Sequence, residues 1–313
     1  MPAIRIEGLQ KVFGAVRALD GLTLAVEPGT VFGFLGPNGA GKTTTIRLLT
    51  GLARPTGGRA WVAGVEIGGD RRRLTGRIGH LPEEPVFYPW MTPREFLDHV
   101  ARVFGLSAPE RQTRVQELLE LADLADVARR RIGGFSRGMR QRLGLAQALV
   151  NRPEVIFLDE PASALDPAGR KDVLDLIGRL RGQSTVFMST HILADVERVC
   201  DTVGIIARGK LIVEAPQKEL VEQYAVPAFE VECNDGDAPQ LQVWADALRA
   251  RPWVTSVSAD ASTARVVVSD VQTAKRELMT SAAQAGLLLT RYEMVRPSLE
   301  DVFLRLVGEG GRS

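Results

Sequence analysis

The sequence has 313 residues, a length that suits one large domain with a small one, or two domains of medium size. Hydrophobic residues make up 45% and charged residues 25%, which is ordinary for a globular chain and excludes wholesale disorder. The formal net charge of +1 provides no overall attraction to nucleic acid or to an acidic membrane surface, so nucleic acid is not expected as a partner.

Cysteine usage and hydropathy indicate the compartment. Cys200 and Cys233 have no metal-ligand spacing and are predicted to be reduced core residues, as in a cytoplasmic protein. No apolar run approaches the roughly 18 to 20 residues that cross a bilayer, and the N-terminus lacks a signal-peptide pattern. We expect a cytoplasmic protein that would need a separate polypeptide for any work within a membrane.

The first predicted elements lead into a glycine-rich loop. Residue types predict strands over Ile4–Val12 and Leu22–Val26. A third apolar run, Thr30–Leu35, ends directly in the loop, and a helix is predicted over Thr43–Thr50. A strand, a glycine loop and a helix in this order are the context that a phosphate-binding loop requires.

Helices and buried strands alternate in the next part of the chain. Apolar periodicity predicts helix over Thr92–Ala128, and the runs Val155–Leu158 and Thr185–Ser189 are typical of strands buried on both faces. Further helices are predicted over Gly138–Leu149 and Pro167–Leu180. This order predicts an α/β fold with a mainly parallel sheet. The strand-free block, about residues 88–152, is expected to be a helical insertion.

Composition changes near residues 224–227, which predicts a first domain over 1–224 and a small second domain over 227–313. The second domain is predicted to contain Phe229–Cys233, Leu241–Ala250, Val254–Ala259, Ala264–Ser269, Val271–Ala285 and Leu287–Met294, then a terminal helix Ser298–Val307. The first six of these run β-α-β-β-α-β, which is the order of a ferredoxin-like α+β unit.

The loop Gly36–Thr43 has the pattern G-x-x-x-x-G-K-T. Its glycines let successive backbone N–H groups face one anion, and the positive end of the following helix points at the same place. Lys42 is expected to reach the β- and γ-phosphates, and the Thr43 hydroxyl to ligate Mg²⁺. The alternative is a glycine turn that precedes a helix by chance. The strand before the loop and the helix after it favour the phosphate-binding interpretation.

Polar residues follow the later buried strands, where ligands bind in open parallel sheets. Asp159 is expected to bind Mg²⁺ directly or through another ligand of the ion, and Glu160 to be the base that orients and polarises the attacking water, unless the two acids only cap the next helix. His191 follows the strand Thr185–Ser189 and is either a γ-phosphate contact or a structural histidine. Ser136 begins a helix, so it is either an anion-binding position or an ordinary N-cap.

Together these motifs resemble the ATP-binding subunits of ABC transporters over about residues 1–222. The resemblance implies a P-loop NTPase fold of ABC type, with N-terminal antiparallel strands beside the mainly parallel core, and with ATP and Mg²⁺ as its ligands. The matching residues are Phe13 (adenine stacking, where tyrosine is more usual), the Walker A loop (Gly36, Pro37, Asn38, Gly39, Ala40, Gly41, Lys42, Thr43, Thr44), the signature (Ser136, Arg137, Gly138, Met139), Walker B (Val155–Pro161), the D-loop with Asp166, and the switch residue His191. Six ordered motifs at family spacing are far more specific than any one of them. The resemblance implies that Glu160 and His191 are catalytic.

The chain departs from the family pattern at several positions. Arg137 and Met139 replace the usual signature residues, and Glu83 stands where the Q-loop glutamine is expected. The resemblance implies that Mg²⁺ is bound by Thr43, Glu83 and Asp159. Glutamate and glutamine both offer hard oxygen ligands, so glutamate at position 83 should not prevent Mg²⁺ binding. The charge of Glu83 adds repulsion toward the γ-phosphate.

The Glu83 variant and the ending Arg296–Phe303 resemble the ABC-2 or drug-resistance branch of exporters. That branch implies two ATP-binding chains, a second copy or a related chain, beside a separate transmembrane permease at the inner face of the membrane. The Ser136–Gly138 segment of one chain would close on the ATP held by Gly36–Thr44 of the other.

Two regions have alternative interpretations within this resemblance. The segment Pro85–Phe96, with Phe87, Tyr88 and Trp90, would dock the permease, or it is a patch buried in the helical insertion. The C-terminal domain would serve dimerisation or regulation, or only add stabilising bulk.

Other function classes fit less well. A soluble ABC-type ATPase acting on the ribosome or on DNA usually has two ATP-binding units in one chain or a long coiled coil, and neither is present in this sequence. A P-loop kinase or GTPase would leave Ser136 and His191 unexplained. We therefore expect the ATP-hydrolysing subunit of a membrane exporter.

Overall fold

The computed structural model describes residues 1–163, 165–224 and 227–295, together with residues 299, 302 and 303. The chain divides into two compact units, Met1–Gln217 and Lys218–Arg312. Apart from residues 299, 302 and 303, the predicted terminal helix Ser298–Val307 lies outside the described residues. Among the helices described, none has the length and apolar character that a membrane span needs.

Strands and helices of the first unit are numbered in chain order. The strands are β1 (Ile4–Phe13), β2 (Val16–Val26), β3 (Val31–Leu35), β4 (Gly57–Val62), β5 (Val65–Glu66), β6 (Ile78–Leu81), β7 (Val155–Asp159), β8 (Thr185–Thr190), β9 (Thr202–Ala207) and β10 (Lys210–Pro216). The helices are α1 (Lys42–Leu49), α2 (Arg71–Thr75), α3 (Pro93–Val103), α4 (Ala108–Leu121), α5 (Arg137–Ala148), α6 (Pro167–Arg179) and α7 (Leu193–Val199), and α8 (Gln217–Tyr224) follows at the boundary.

Two sheets form the first unit. The N-terminal sheet is antiparallel and has the order β2-β1-β4-β5. The second sheet has the order β10-β9-β3-β8-β7-β6, in which only β10 pairs antiparallel with its neighbour among the described strands. The predicted mainly parallel α/β core with N-terminal antiparallel strands is confirmed.

A row of phenylalanines fixes the register of the central strands. Phe187 of β8 is paired with Phe32 of β3 on one side and with Phe157 of β7 on the other. Its ring centroid lies 5.3 Å from that of Phe32 and 5.8 Å from that of Phe157, and all three side chains are fully buried. Burying each ring contributes about 1.5–3 kcal/mol, so this row strongly disfavours any other strand pairing.

The segment 82–154 contains helices and no strand, and the structure describes all of it. The helix predicted over Thr92–Ala128 is instead divided into α3 and α4. Gly105, with φ of 81°, follows the end of α3, and Ser107 opens α4 with a capping box to Glu110. A left-handed glycine followed by a new N-cap terminates one helix and starts another.

The described residues 227–295 of the second unit form one antiparallel sheet and two α-helices. Its elements are β11 (Ala228–Cys233), α9 (Ala238–Leu248), β12 (Val254–Asp260), β13 (Thr263–Val268), α10 (Val271–Gln284) and β14 (Leu289–Val295). The strand order is β12-β13-β11-β14, and each adjacent pair is antiparallel. This is the arrangement of the β-α-β-β-α-β unit, so the ferredoxin-like prediction is confirmed.

Gly79 in β6 is predicted to be indispensable for the packing of α5. A Cβ atom at this position would overlap the backbone carbonyl oxygen of Ala148, at the end of α5. Gly79→Ala should therefore destabilise the first unit by about 1–3 kcal/mol and lower its urea unfolding midpoint.

Gly178→Ala in α6 is the matched control, because a Cβ there has no neighbour within 4 Å. Alanine is the better helix former, so this change should stabilise by roughly 0.5–1 kcal/mol. A midpoint for Gly79→Ala at or above that of the native chain would contradict the packing argument.

Candidate functional site

The loop between β3 and α1 is shaped by its glycines. Gly39 and Gly41 have φ of 78° and 110°, in the left-handed region that favours glycine. A Cβ atom on Gly36 would overlap the carbonyl oxygen of Ile206. Gly41 is the N-cap of α1, so the first N–H groups of that helix have no intrahelical partner and face the loop. The loop is therefore a concave cradle of N–H donors.

Lys42 holds a buried positive charge at this cradle. Its side chain is 6% exposed, and Nζ donates to the carbonyl oxygens of Gly36 at 2.7 Å and Pro37 at 3.3 Å. Nζ also lies 3.3 Å from Oε1 of Glu160, a carboxylate that is itself buried. A buried ammonium needs such partners, and these keep it directed into the loop.

Asp159 and Thr43 bring oxygen ligands together beside the loop. Oδ1 of Asp159 accepts a hydrogen bond from Ser189 Oγ at 2.6 Å and one from Thr43 Oγ1 at 3.2 Å. Among the described residues there is no cluster of three or more His, Cys, Asp or Glu side chains suited to a metal ion. Mg²⁺ usually binds one or two carboxylates together with substrate phosphates and water, so this donor set fits Mg²⁺ beside a bound nucleotide.

Glu160 has an unusual backbone conformation. Its φ of 49° lies in the left-handed region, which disfavours a non-glycine residue. The Glu160 N–H donates to both the carbonyl oxygen and Oγ of Ser189, each at 3.1 Å, and these bonds hold the conformation. Oε2 lies 2.9 Å from His191 Nδ1. The carboxylate is thus fixed between an ammonium and an imidazole, where it can accept a proton from water.

A cavity of about 310 Å³ opens over the loop. Its lining includes the loop residues 38–44 and three predicted residues from other segments: Glu83, Glu160 and His191. Val16, Arg17 and Ala18 also line it. These three residues were not predicted from the sequence, because nothing in their residue types indicates a ligand and only the β1–β2 hairpin brings them over the loop.

An ion pair lies at the rim of this cavity. Arg17 donates to Asp20 at 2.7 Å, and this bond, with a contribution from Lys210, lowers the pKa of Asp20. Asp20 therefore stays ionised and holds Arg17 at the rim.

Burial lowers the pKa of His80 on β6, although Asp159 opposes that effect. His80 is then neutral near pH 7 and adds no cation beside Asp159.

The signature residues lie elsewhere on the chain. Among the described residues that line the loop cavity, none comes from Ser136, Arg137, Gly138 or Met139. Ser136 is the N-cap of α5, with Oγ accepting from the Met139 N–H at 3.2 Å. The Arg137 guanidinium lies 3.8 Å from the carboxylate of Glu84, in an exposed pair. The cradle and the signature are therefore separate surfaces of one chain.

Phe13 and Asp166 also lie outside the described cavity lining. Phe13 ends β1 with about half of its surface exposed, and the Lys11 ammonium is 4.7 Å from its ring centroid. Asp166 is the N-cap of α6, and its Oδ1 accepts from the Gly169 N–H at 3.3 Å. A single chain thus brings Glu83, Glu160 and His191 to the loop cavity, whereas Phe13, Asp166 and the signature residues are not among its described lining residues.

A glycine loop between a strand and a helix, with an acid at the end of a nearby parallel strand, defines the class of P-loop NTPases. Residues 19–163 match the model of the ABC transporter family. Residues 216–307 match a second model, described as the C-terminal domain of DrrA1-3-like ATP-binding proteins.

Known proteins are similar over nearly the whole chain. An uncharacterized ABC transporter ATP-binding protein of Bacillus subtilis is 39% identical over 305 residues, which cover 97% of this chain and 99% of that protein. A Nod factor export ATP-binding protein of Ralstonia nicotianae is 35% identical over 308 residues, which cover 98% of this chain and 94% of that protein. A solved dimeric ATP-binding cassette in a post-hydrolysis state with ADP and Pi has a TM-score of 0.61 at 25% identity, covering 68% of this chain and 98% of that chain.

The chain therefore belongs to the ATP-binding proteins of ABC transporters, and it is an ATPase that binds nucleotide. The family resemblance inferred from the motifs is confirmed, together with its link to the drug-resistance branch. Transporter relatives over nearly the full length favour the transport function over a soluble ATPase of the ribosome or DNA.

Ser189 is predicted to be needed for hydrolysis. Ser189→Ala removes the bond to Asp159 and one of the two bonds that hold Glu160, so the ATPase rate should fall by about tenfold. Ser184→Ala is the matched control at the other end of β8, where Oγ donates to the Pro153 carbonyl oxygen at 2.7 Å. Both variants should lose about 1 kcal/mol of stability in urea unfolding, but only Ser189→Ala should lose activity. Equal activities would contradict the role of Ser189.

Proposed function

We propose that this chain hydrolyses ATP in a nucleotide-sandwich dimer and thereby drives a separate transmembrane permease of an exporter. The observation that carries the proposal is the contact of Glu160 with both Lys42 and His191 at the mouth of the phosphate cradle. The export relative and the DrrA-like C-terminal match support the direction of transport. The chain would act at the cytoplasmic face of the membrane, held there by the permease.

In this proposal the loop and its helix bind the phosphates of ATP. Backbone N–H groups between residues 38 and 44 and the Lys42 ammonium would hold the β- and γ-phosphates, and the side chains of Thr43, Asp159 and Glu83 would hold Mg²⁺. When bound, Mg²⁺ neutralises charge on the phosphate oxygens. Phe13 would stack on the adenine ring.

Glu160 and His191 would carry the chemical step. The water oxygen attacks the γ-phosphorus, the bond from that phosphorus to the ADP oxygen breaks, and the water proton passes to the Glu160 carboxylate. His191 holds that carboxylate through the 2.9 Å contact and is placed to meet a γ-phosphate oxygen. Both residues follow neighbouring strands, which supports a shared role.

Signature residues 136–139 of the second chain would complete the site. They lie at the N-terminus of α5, where free N–H groups and the helix dipole favour an anion. Arg137, with 45% of its side chain exposed, would add a positive charge there. ATP would then hold two chains together until hydrolysis releases them, and Asp166 of the D-loop would lie at the same interface.

An exposed apolar segment supports docking to the permease. Val86, Tyr88 and Trp90 are 88%, 47% and 66% exposed, and the Tyr88 and Trp90 rings lie 5.2 Å apart. Phe87 differs, because it packs edge-on against the buried Phe96 at 5.1 Å. The alternative of a buried patch therefore does not fit Val86, Tyr88 and Trp90, whose exposed side chains could contact a hydrophobic partner.

The proposed domain organisation follows from these roles. Residues 1–224 form the ATP-binding domain, and residues 88–152 within it form the helical subdomain that carries the signature. Residues 227–313 form an accessory domain that serves dimerisation or regulation, or adds stabilising bulk. We propose no nucleic-acid partner.

Glu160→Gln should bind ATP, fail to hydrolyse it and accumulate as a closed dimer. Glutamine keeps the side-chain shape but cannot accept the water proton, so the rate should fall by at least about a hundredfold. Size-exclusion chromatography with ATP reports the dimer, and phosphate release reports the rate. Glu154→Gln, immediately before β7, is the control and should behave like the native chain. Turnover near the native rate in Glu160→Gln would show that Glu160 is not the base.

Trp90→Ala should weaken assembly with the permease by about tenfold and leave the ATPase rate of the isolated chain unchanged. Co-purification from solubilised membranes measures the assembly. Val103→Ala, another exposed apolar side chain at the end of α3, serves as the control and should assemble normally. Unchanged co-purification of Trp90→Ala would exclude this segment as the docking surface.

A further inference from the structure

An ion pair joins the two helices that follow the D-loop and the switch histidine. Asp166 caps α6, and Arg170 lies one turn into that helix, where its backbone N–H donates to the Asp166 carbonyl oxygen at 2.9 Å. Asp195 lies in the first turn of α7, the helix that follows His191. Arg170 Nε donates to Asp195 Oδ1 at 2.6 Å. The pair thus connects two motifs that are far apart in the sequence.

Asp195 is buried and lies within the electrostatic range of the site. Its side chain is 2% exposed, and that of Arg170 is 31% exposed. Burial raises the pKa of Asp195 and the Arg170 hydrogen bond opposes this, while the Glu160 carboxylate raises it further and His191 lowers it. Replacing a whole buried ion pair by apolar groups is often neutral or stabilising. Stability alone therefore does not account for a charged pair at this place.

A second ion pair between the same helices provides a comparison. Arg198 of α7 contacts Asp175 of α6 at 2.8 Å, with both side chains more than two-fifths exposed. Exposed pairs of this kind contribute little, because water screens them and both side chains lose freedom. The two pairs bridge the same helices, so they differ mainly in burial and in distance from His191.

We infer that the Arg170–Asp195 pair is a positioning device for hydrolysis, which holds α6 and α7 together so that His191 keeps its contact with Glu160. Arg170 is a positioning residue that acts through α7 and His191. A charge-assisted hydrogen bond fixes both a distance and a direction, which apolar packing does not. Small displacements of a catalytic group lower the rate strongly. The inference rests on the proposed roles of Glu160 and His191.

The test measures steady-state ATPase kinetics and urea unfolding of the full-length chain. Arg170→Met should lower kcat by about tenfold and leave KM for ATP within about twofold, because the phosphate cradle is untouched. Arg170→Lys keeps a charged donor and should retain most of kcat. Arg170→Met/Asp195→Leu should recover the native unfolding midpoint while kcat stays low. Arg198→Met is the matched control and should keep the native kcat.

Several outcomes would overturn the inference. Native kcat in Arg170→Met/Asp195→Leu would show that the pair serves stability only, and equal losses in Arg170→Lys and Arg170→Met would show that a charged donor at position 170 does not sustain the rate. An equal loss in Arg198→Met would show that any bridge between the helices suffices. Glu160→Gln, measured in parallel, separates the two proposals: turnover by that variant overturns the site, whereas an inactive Glu160→Gln beside fully active Arg170 variants overturns only the positioning role.

Discussion

The parallel register of three strands is the constraint on which the rest of this site depends. Leu35 of β3 is paired with Thr190 of β8, and Asp159 of β7 is paired with Ser189. All three strands therefore end at one level of the sheet, and the segments that follow them carry the P-loop, Glu160 and His191. A slip by one residue would turn Asp159 to the opposite face, away from Ser189. The phenylalanine row around Phe187 opposes such a slip by close packing in the core.

Local patterns in the sequence predicted most of the fold and the centre of the site. The P-loop and the acids after Val155–Leu158 are contiguous motifs, so strand, turn and helix signals within a few residues suffice to place them. The division of Thr92–Ala128 into two helices was missed, although Gly105 and the Ser107 capping box signal it. The prediction followed the apolar periodicity across this region, whereas in the structure the helix-stop residues end the first helix.

Contacts between distant segments could not be predicted in the same way. Ser189 has the residue type of an ordinary strand position, and its bond to Asp159 exists only because β7 and β8 pair in one register. Arg17 reaches the rim of the cavity through a hairpin, and Arg170 meets Asp195 through the packing of two helices. Each of these depends on tertiary geometry, and a single sequence carries no local signal for it.

Because the backbone of Glu160 is left-handed, stability and the proposed activity favour different residues at this position. Glycine would adopt this φ without strain, so the fold by itself would favour glycine there, whereas the proposed chemistry requires a carboxylate. A search for more stable variants would therefore tend to select against the residue that the proposed reaction uses. The two hydrogen bonds that the Glu160 N–H donates to Ser189 offset part of that strain. Stability alone would favour glycine at position 160, so it is the proposed chemistry that accounts for a glutamate there.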